Sequence, residues 1–190
     1  MGNILWKSWE SDGRMRIVDY LQAIRIHHSI KNLVIFTPFF LTLDLAYFFT
    51  LLPVFIALMP LSFFGYMYND LADYKTDLLN PNKSNPLTSN RLSTNIYRKI
   101  MKIVLLVSIF SIAYTFIFYD SIMLLLSMLV FLVLDILYTD ILKHIKLIDI
   151  ISVSFKFALR YIIGVLALGL SISWIIFAVL FTFSMSLLFL

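Results

Sequence analysis

Residues 45–77 read LAYFFTLLPVFIALMPLSFFGYMYNDLADYKTD, and this stretch decides the fold. Residues 45–69 carry no charge. A bilayer core of ~30 Å is crossed by about 20 apolar residues in a helix, so this segment reads as a membrane span. It runs straight into three aspartates, Asp70, Asp73 and Asp77. Acidic residues are expensive beside a bilayer, so their position at the end of a span marks a place of chemistry.

Working outward, the same reading gives five more spans. Residues 32–43 are uncharged, and with a helical lead-in from about Arg25 they form the first. Residues 103–119 form the third, and residues 121–138 the fourth, interrupted by Asp135. The chain is uncharged from 161 to 190, too long for one crossing, and Gly169 with Ser171 and Ser173 offers a break. The fifth span is expected over Ile148–Leu168 and the sixth from Ile172 onward. The predicted fold class is all-α, a polytopic membrane helix bundle of about six helices in one domain over residues 1–190.

The basic residues support this division. All 15 Lys and Arg lie before or within the opening of the first span, between the second and third spans, or from Lys143 to Arg160. The connections around Asp44, Asp120 and Gly169 have none. Under the positive-inside rule the N-terminus and the loops at 70–100 and 139–148 face the cytoplasm. Residues 1–24 form an interfacial segment. Within it, 3–21 can make an amphipathic surface helix carrying Trp6 and Trp9.

Composition narrows the function. Apolar residues make up 61% and charged residues 14% of the chain, against about 45–50% and 25% in soluble domains. Mean hydropathy is +0.93. A soluble enzyme, a disordered chain and a nucleic-acid-binding module are excluded, so no nucleic-acid partner is expected. With no cysteine there is neither a disulfide nor a thiolate metal site.

On a continuous helix, Asp70, Asp73 and Asp77 stand at i, i+3 and i+7, within an arc of ~60°. Three carboxylates on one face repel. Mg²⁺ would offset that, since it takes carboxylate oxygens and shares its shell with phosphates. A solvated helix end relieved by Lys75 explains the polarity equally well, but not the shared face. Downstream, Pro81, Asn82, Lys83, Ser84, Asn85 and Pro86 make a turn-rich loop, and Lys83 and Arg91 are expected to return toward the carboxylates. Ser93 is placed to cap the next helix. In the second loop, Tyr138, Lys143 and Asp149 precede Lys156 and Arg160, one helical turn apart in an apolar helix. Arg160 is expected to face the bundle interior, while Lys156 snorkels to the interface. Asp135 is expected to partner a basic residue without a chemical role. His27, His28 and His144 lack ligand spacing and read as interfacial.

Together these residues resemble the UbiA superfamily of intramembrane prenyltransferases. The match is Asn69-Asp70-x-x-Asp73-x-x-x-Asp77 at the end of the second helix, followed by Asn85-Pro86-Leu87-Thr88-Ser89-Asn90-Arg91-Leu92-Ser93. Asn90 stands where the family usually has Gly, and Asn tolerates left-handed backbone. Arg25 to Pro38, with Lys31-Asn32, resembles the family's opening. Tyr138 to Arg160 looks most like the branch that transfers phosphoribosyl groups to polyprenyl phosphate.

The resemblance implies that Asp70, Asp73 and Asp77 are catalytic and hold Mg²⁺. It assigns substrate contacts to Lys31, Asn32, Asn69, Lys83, Arg91, Tyr138, Lys143, Asp149 and Arg160. The implied partners are a polyprenyl lipid and a diphosphate donor, either a prenyl diphosphate or phosphoribosyl pyrophosphate. Family members have about nine helices and a second polar motif after the sixth. This sequence reaches Leu190 inside that helix, so the remaining half of the site is expected outside it or on a complementing chain. A catalytically incomplete protein, or a non-enzymatic transporter or assembly subunit, is the rival reading. A CDP-alcohol phosphotransferase is disfavoured because its interrupted Asp pattern is absent.

Overall fold

The structure, a computed structural model, describes residues 17–80 and 85–189, with side chains to 188. The expected amphipathic helix with Trp6 and Trp9 lies almost wholly outside the described residues, and Lys83 lies outside them too. In order, the chain forms α1 (Ile17–Ala23), a 3-10 helix (Ile26–Phe36), α2 (Thr37–Thr42), α3 (Leu45–Ala72) and the single turn α4 (Tyr74–Asp77). It continues with α5 (Thr94–Tyr119), α6 (Ile122–Asp140), a 3-10 turn (Leu142–His144), α7 (Lys146–Ala167) and α8 (Trp174–Phe189). The described residues form no strand, and the chain is the polytopic helical bundle that its hydropathy demands.

Four helices, α3, α5, α6 and α7, are long and apolar enough to cross a membrane, where six spans were expected. The expected first span is divided. Its first part is an 11-residue 3-10 helix and its second the six-residue α2. At ~2.0 Å per 3-10 residue and ~1.5 Å per α residue, the two together still reach about 30 Å. The tighter winding lets a short apolar run cover the distance. The last helix, α8, is apolar but has 16 residues, about 24 Å.

Local chemistry sets the helix starts. The Asp44 carboxylate accepts from the Ala46 N–H at 2.9 Å at the head of α3. Ser93 and Ser121 do the same for α5 and α6, accepting from Ile96 and Leu124 at 3.4 and 3.3 Å. Gly169 ends α7 with φ +67°, the break expected from sequence.

The main core lies where α3, α6, α7 and the long 3-10 helix meet, around Ile35, Leu58, Leu61, Phe131 and Ile163. Gly164 on α7 allows this approach. A Cβ there would lie 2.2 Å from the Ile35 carbonyl oxygen, so the 3-10 backbone rests directly on α7. A second cluster of Ala23, Met67, Leu87, Leu92 and Tyr97 ties α1 and the loop at 85–92 to the ends of α3 and α5.

Candidate functional site

The end of α3, the start of α5, the end of α6 and the start of α7 gather at one end of the bundle. The Tyr68 hydroxyl donates to Asp140 at 3.0 Å, bringing α3 to the end of α6. The Lys143 ammonium, between α6 and α7, donates to Asn69 Oδ1 at 3.2 Å and Asp73 Oδ1 at 2.6 Å. The Tyr138 hydroxyl lies near enough to Asp149 to interact with its carboxylate. Residues far apart in sequence, expected to act together, are therefore assembled at one place.

The three aspartates do not share one face, contrary to the expectation from a continuous helix. The helix is broken at Asp73, which has φ −86° and ψ 0°, and a separate turn, α4, follows. Asp70 turns toward α1 and α5. It is 1% exposed, forms an ion pair with Arg25, and accepts from the Tyr97 hydroxyl at 3.1 Å. Asp73 turns the other way, to Lys143. Asp77 is buried. Asp70 and Asp77 remain close enough to interact electrostatically, while Asp73 pairs with Lys143, and among the described residues no three His, Cys, Asp or Glu converge on a metal position.

The loop at 85–93 also departs from expectation. Asn85 Oδ1 accepts from the backbone N–H of Leu87 and Thr88 at 3.0 and 2.8 Å, an Asx-type turn. Asn90 adopts φ 56°, the left-handed state for which Asn is suited. Arg91 does not return to the α3 aspartates. It donates to Asp19 of α1 at 2.9 Å and to Ser89 at 2.9 Å.

Beside this cluster lies a cavity of about 430 Å³. Its polar wall carries Arg25, Lys31, Asn69, Tyr138, Lys156 and Arg160, and Leu134, Val153 and Phe157 line it with apolar surface. Arg160 is 4% exposed, four turns into α7. Its Nε donates to Asn32 Oδ1 at 2.7 Å and its Nη1 to the Lys156 carbonyl at 2.8 Å. Asn32 Oδ1 also accepts from Ser62 at 3.1 Å. Asn32 is thus buried behind Arg160 and positions it. Lys156 does not snorkel to the interface as expected. It forms an ion pair with Asp135 of α6 and, like Arg160, sits over the Phe131 ring, at 4.5 and 5.0 Å respectively.

Sequence reasoning missed Arg25 as the partner of Asp70, Tyr97 as its donor, and the place of Lys156 and Asp135 in the cavity wall. Arg25 and Tyr97 gave no periodic signal. The pairing of Asp135 with a base was anticipated, but its identity was not, because the partners lie on different helices.

A divalent ion shared with phosphate fits part of this donor set. Asn69 Oδ1 and Asp73 Oδ1 are hard oxygens that already converge on one cation, the Lys143 ammonium. Mg²⁺ commonly takes one or two protein oxygens and completes its shell with phosphate and water. Asp70 instead accepts from Arg25 and Tyr97 in this structure.

Comparison with known structures gives a matching fold. A structure described as bearing on digeranylgeranylglyceryl phosphate synthase in membranes superposes with a TM-score of 0.68 at 21% identity, covering 89% of this chain. This chain spans 58% of the length of that one. Comparison with curated proteins gives no match. The profile of the UbiA prenyltransferase family matches residues 33–190, most of the chain and every cavity residue except Arg25 and Lys31, and the chain belongs to that family.

Proposed function

We propose that this chain binds the diphosphate of a lipid-pathway donor in the cavity and takes part in intramembrane transfer of the UbiA type, from the cytoplasmic side. One observation carries the reading. Among the described residues, the buried Arg160 has no carboxylate within ion-pair distance, yet it lines a cavity in an apolar bundle, with the exposed Lys31 on the same cavity wall. An uncompensated cation is costly inside a membrane, about 2.5–3.5 kcal/mol near a helix centre. A polyvalent anion supplies the missing charge.

In this reading the bond between the donor's electrophilic carbon and the diphosphate oxygen breaks, and pyrophosphate leaves with the electron pair. A hydroxyl or carbon acceptor forms the new bond and passes its proton to the departing pyrophosphate, whereas an ionised phosphate oxygen attacks with no proton to lose. Lys31 and Arg160 hold the phosphates and stabilise the charge that grows on the leaving group. Asn32 and Ser62 keep Arg160 aimed into the cavity. Asn69 and Asp73 would hold Mg²⁺, which when bound neutralises diphosphate charge, with Lys143 beside them as a further phosphate contact. The apolar wall at Leu134, Val153 and Phe157 suits a prenyl chain, so a prenyl diphosphate is the donor favoured by shape. Phosphoribosyl pyrophosphate is favoured by the Tyr138 hydroxyl in the cavity wall, with Asp149 near it, which offers a polar partner for ribose hydroxyls.

Calorimetry of this chain in lipid nanodiscs with Mg²⁺ and inorganic pyrophosphate tests the proposal. Wild type is expected to bind, and Arg160→Gln to bind at least about 30-fold more weakly, as expected for one charged hydrogen-bonding contact. Equal binding by the two proteins, or none by wild type, overturns it and leaves the non-enzymatic reading. Competition by geranylgeranyl diphosphate and by phosphoribosyl pyrophosphate separates the two donors.

A further inference from the structure

Resting on the anion-site reading above, we infer that Lys156 is a specificity-determining contact that reads the second phosphate of a diphosphate, and that Asp135 is its positioning residue. A lysine this far into a spanning helix ordinarily runs along the helix toward the nearer membrane surface. Lys156 instead crosses to α6 and pairs with Asp135. Three helices are shaped around that pair. On α3, residue 65 is glycine, and a Cβ there would lie 2.2 Å from Asp135 Oδ1 and 2.6 Å from Oδ2. Any other residue at 65 would displace the carboxylate. The chain therefore admits a charged pair at a point where an apolar pair would be at least as stable.

The pair is also incomplete as a purely structural bridge. Asp135 Oδ2 is buried without a hydrogen-bond partner, and the Lys156 side chain keeps 18% of its surface accessible. An ammonium has three donors, and among the described residues only Asp135 accepts from this one. Donors thus remain for a molecule in the cavity that Lys156 lines. Arg160 lies one turn further along α7, and both cations cover the Phe131 ring. Residues so spaced have Cβ atoms about 5–6 Å apart, which suits two linked phosphates better than one. Arg160 takes one phosphate and Lys156 the other, while Asp135 prevents the lysine from retreating to the membrane surface.

The test compares inorganic pyrophosphate with orthophosphate on this chain in nanodiscs. Lys156→Met alone would strand a buried carboxylate, so the variant is Asp135→Asn/Lys156→Met, which removes both charges together. Its thermal unfolding is expected to stay near that of wild type. Its pyrophosphate affinity is expected to fall at least about tenfold and its orthophosphate affinity less than about threefold, lowering the preference for the diphosphate. A double variant with the wild-type preference overturns the inference while leaving the anion site standing. Should that variant fail to fold, acetylation of Lys156 in wild type, read by mass spectrometry, decides the matter. Saturating pyrophosphate should slow it several-fold, and an unchanged rate overturns the inference. If wild type binds neither anion, the anion-site reading fails and this inference with it.

Discussion

The acidic end of α3 and the basic stretch of α7 stand side by side but are built on opposite terms. At the end of α3, Asp70 and Asp73 each have a cation brought from another part of the chain, Arg25 and Lys143. On α7, Lys156 has Asp135, but among the described residues Arg160 hydrogen-bonds only to neutral partners, Asn32 and a carbonyl, and Lys31 forms no ion pair with a carboxylate. The α3 aspartates find their cations within the protein, whereas under the proposed function the basic stretch, which shares the charge of Asp135 alone, is completed by the anion that enters. Charge count along the sequence does not reveal this, since it does not show which charges pair across helices.

The two α3 aspartates sharpen that contrast, because the same substitution should do different things to them. Asp70 is buried between Arg25 and Tyr97 and holds α1 against α3 and α5. Asp70→Ala is expected to destabilise the bundle by about 3 kcal/mol, the low end for a broken buried pair because Arg25 is 31% exposed. The measurement is the thermal unfolding midpoint in nanodiscs, which should drop by several degrees. A drop of less than a degree would mean that the pair does not hold the fold. Asp73→Ala is expected to lower stability by no more than about 1 kcal/mol, since its carboxylate is partly exposed. It should instead weaken Mg²⁺-dependent pyrophosphate binding at least about tenfold. Binding equal to wild type would remove Asp73 from the metal assignment.

Much of the fold was legible because spans announce themselves. The uncharged run at 45–69 became α3, and the break at Gly169 fell where small and polar residues placed it. The 3-10 winding of residues 26–36 was not legible, and the contact that seats this segment on α7 lies about 130 residues away, at Gly164. The site divides in the same way. That the loops after α3 and α6 share an end of the bundle was legible from their basic residues, but the particular contacts of Lys143 with Asn69 and Asp73 were not. The common face of Asp70, Asp73 and Asp77 did not survive. Helical spacing holds only while the helix continues, and here it breaks at Asp73. The crossing of Lys156 to Asp135 depends on Gly65 of a third helix, which no single-helix pattern contains.

Gly164 gives the next prediction. Gly164→Ala places a methyl group against the Ile35 carbonyl, and a backbone oxygen cannot rotate away. The 3-10 helix must then lift from α7, at about 1–3 kcal/mol for overpacking. Lifting it also lengthens the Asn32–Arg160 bond, so pyrophosphate affinity should fall together with the unfolding midpoint. The acidic end of α3 does not depend on this contact, and Tyr97 should keep its hydrogen bond to Asp70. Unchanged affinity would mean that Arg160 is aimed by α7 alone.

The smallest effect is expected at Arg91, where the resemblance implied a substrate contact and the structure shows an ion pair with Asp19. Asp19 is buried at 3% exposed, while the Arg91 side chain is 32% exposed, so solvent screens much of the attraction. Arg91→Gln should lower stability by about 1 kcal/mol or less and leave pyrophosphate affinity within about twofold of wild type, a difference of some 0.4 kcal/mol. The glutamine can still hydrogen-bond to Asp19, and the turn at Asn85 and Asn90 does not need the guanidinium. A tenfold loss of affinity would show that the loop swings Arg91 from Asp19 to the substrate. The acidic end of α3 would then share the anion that the basic stretch of α7 needs, and the two regions would form one site that closes when the donor binds.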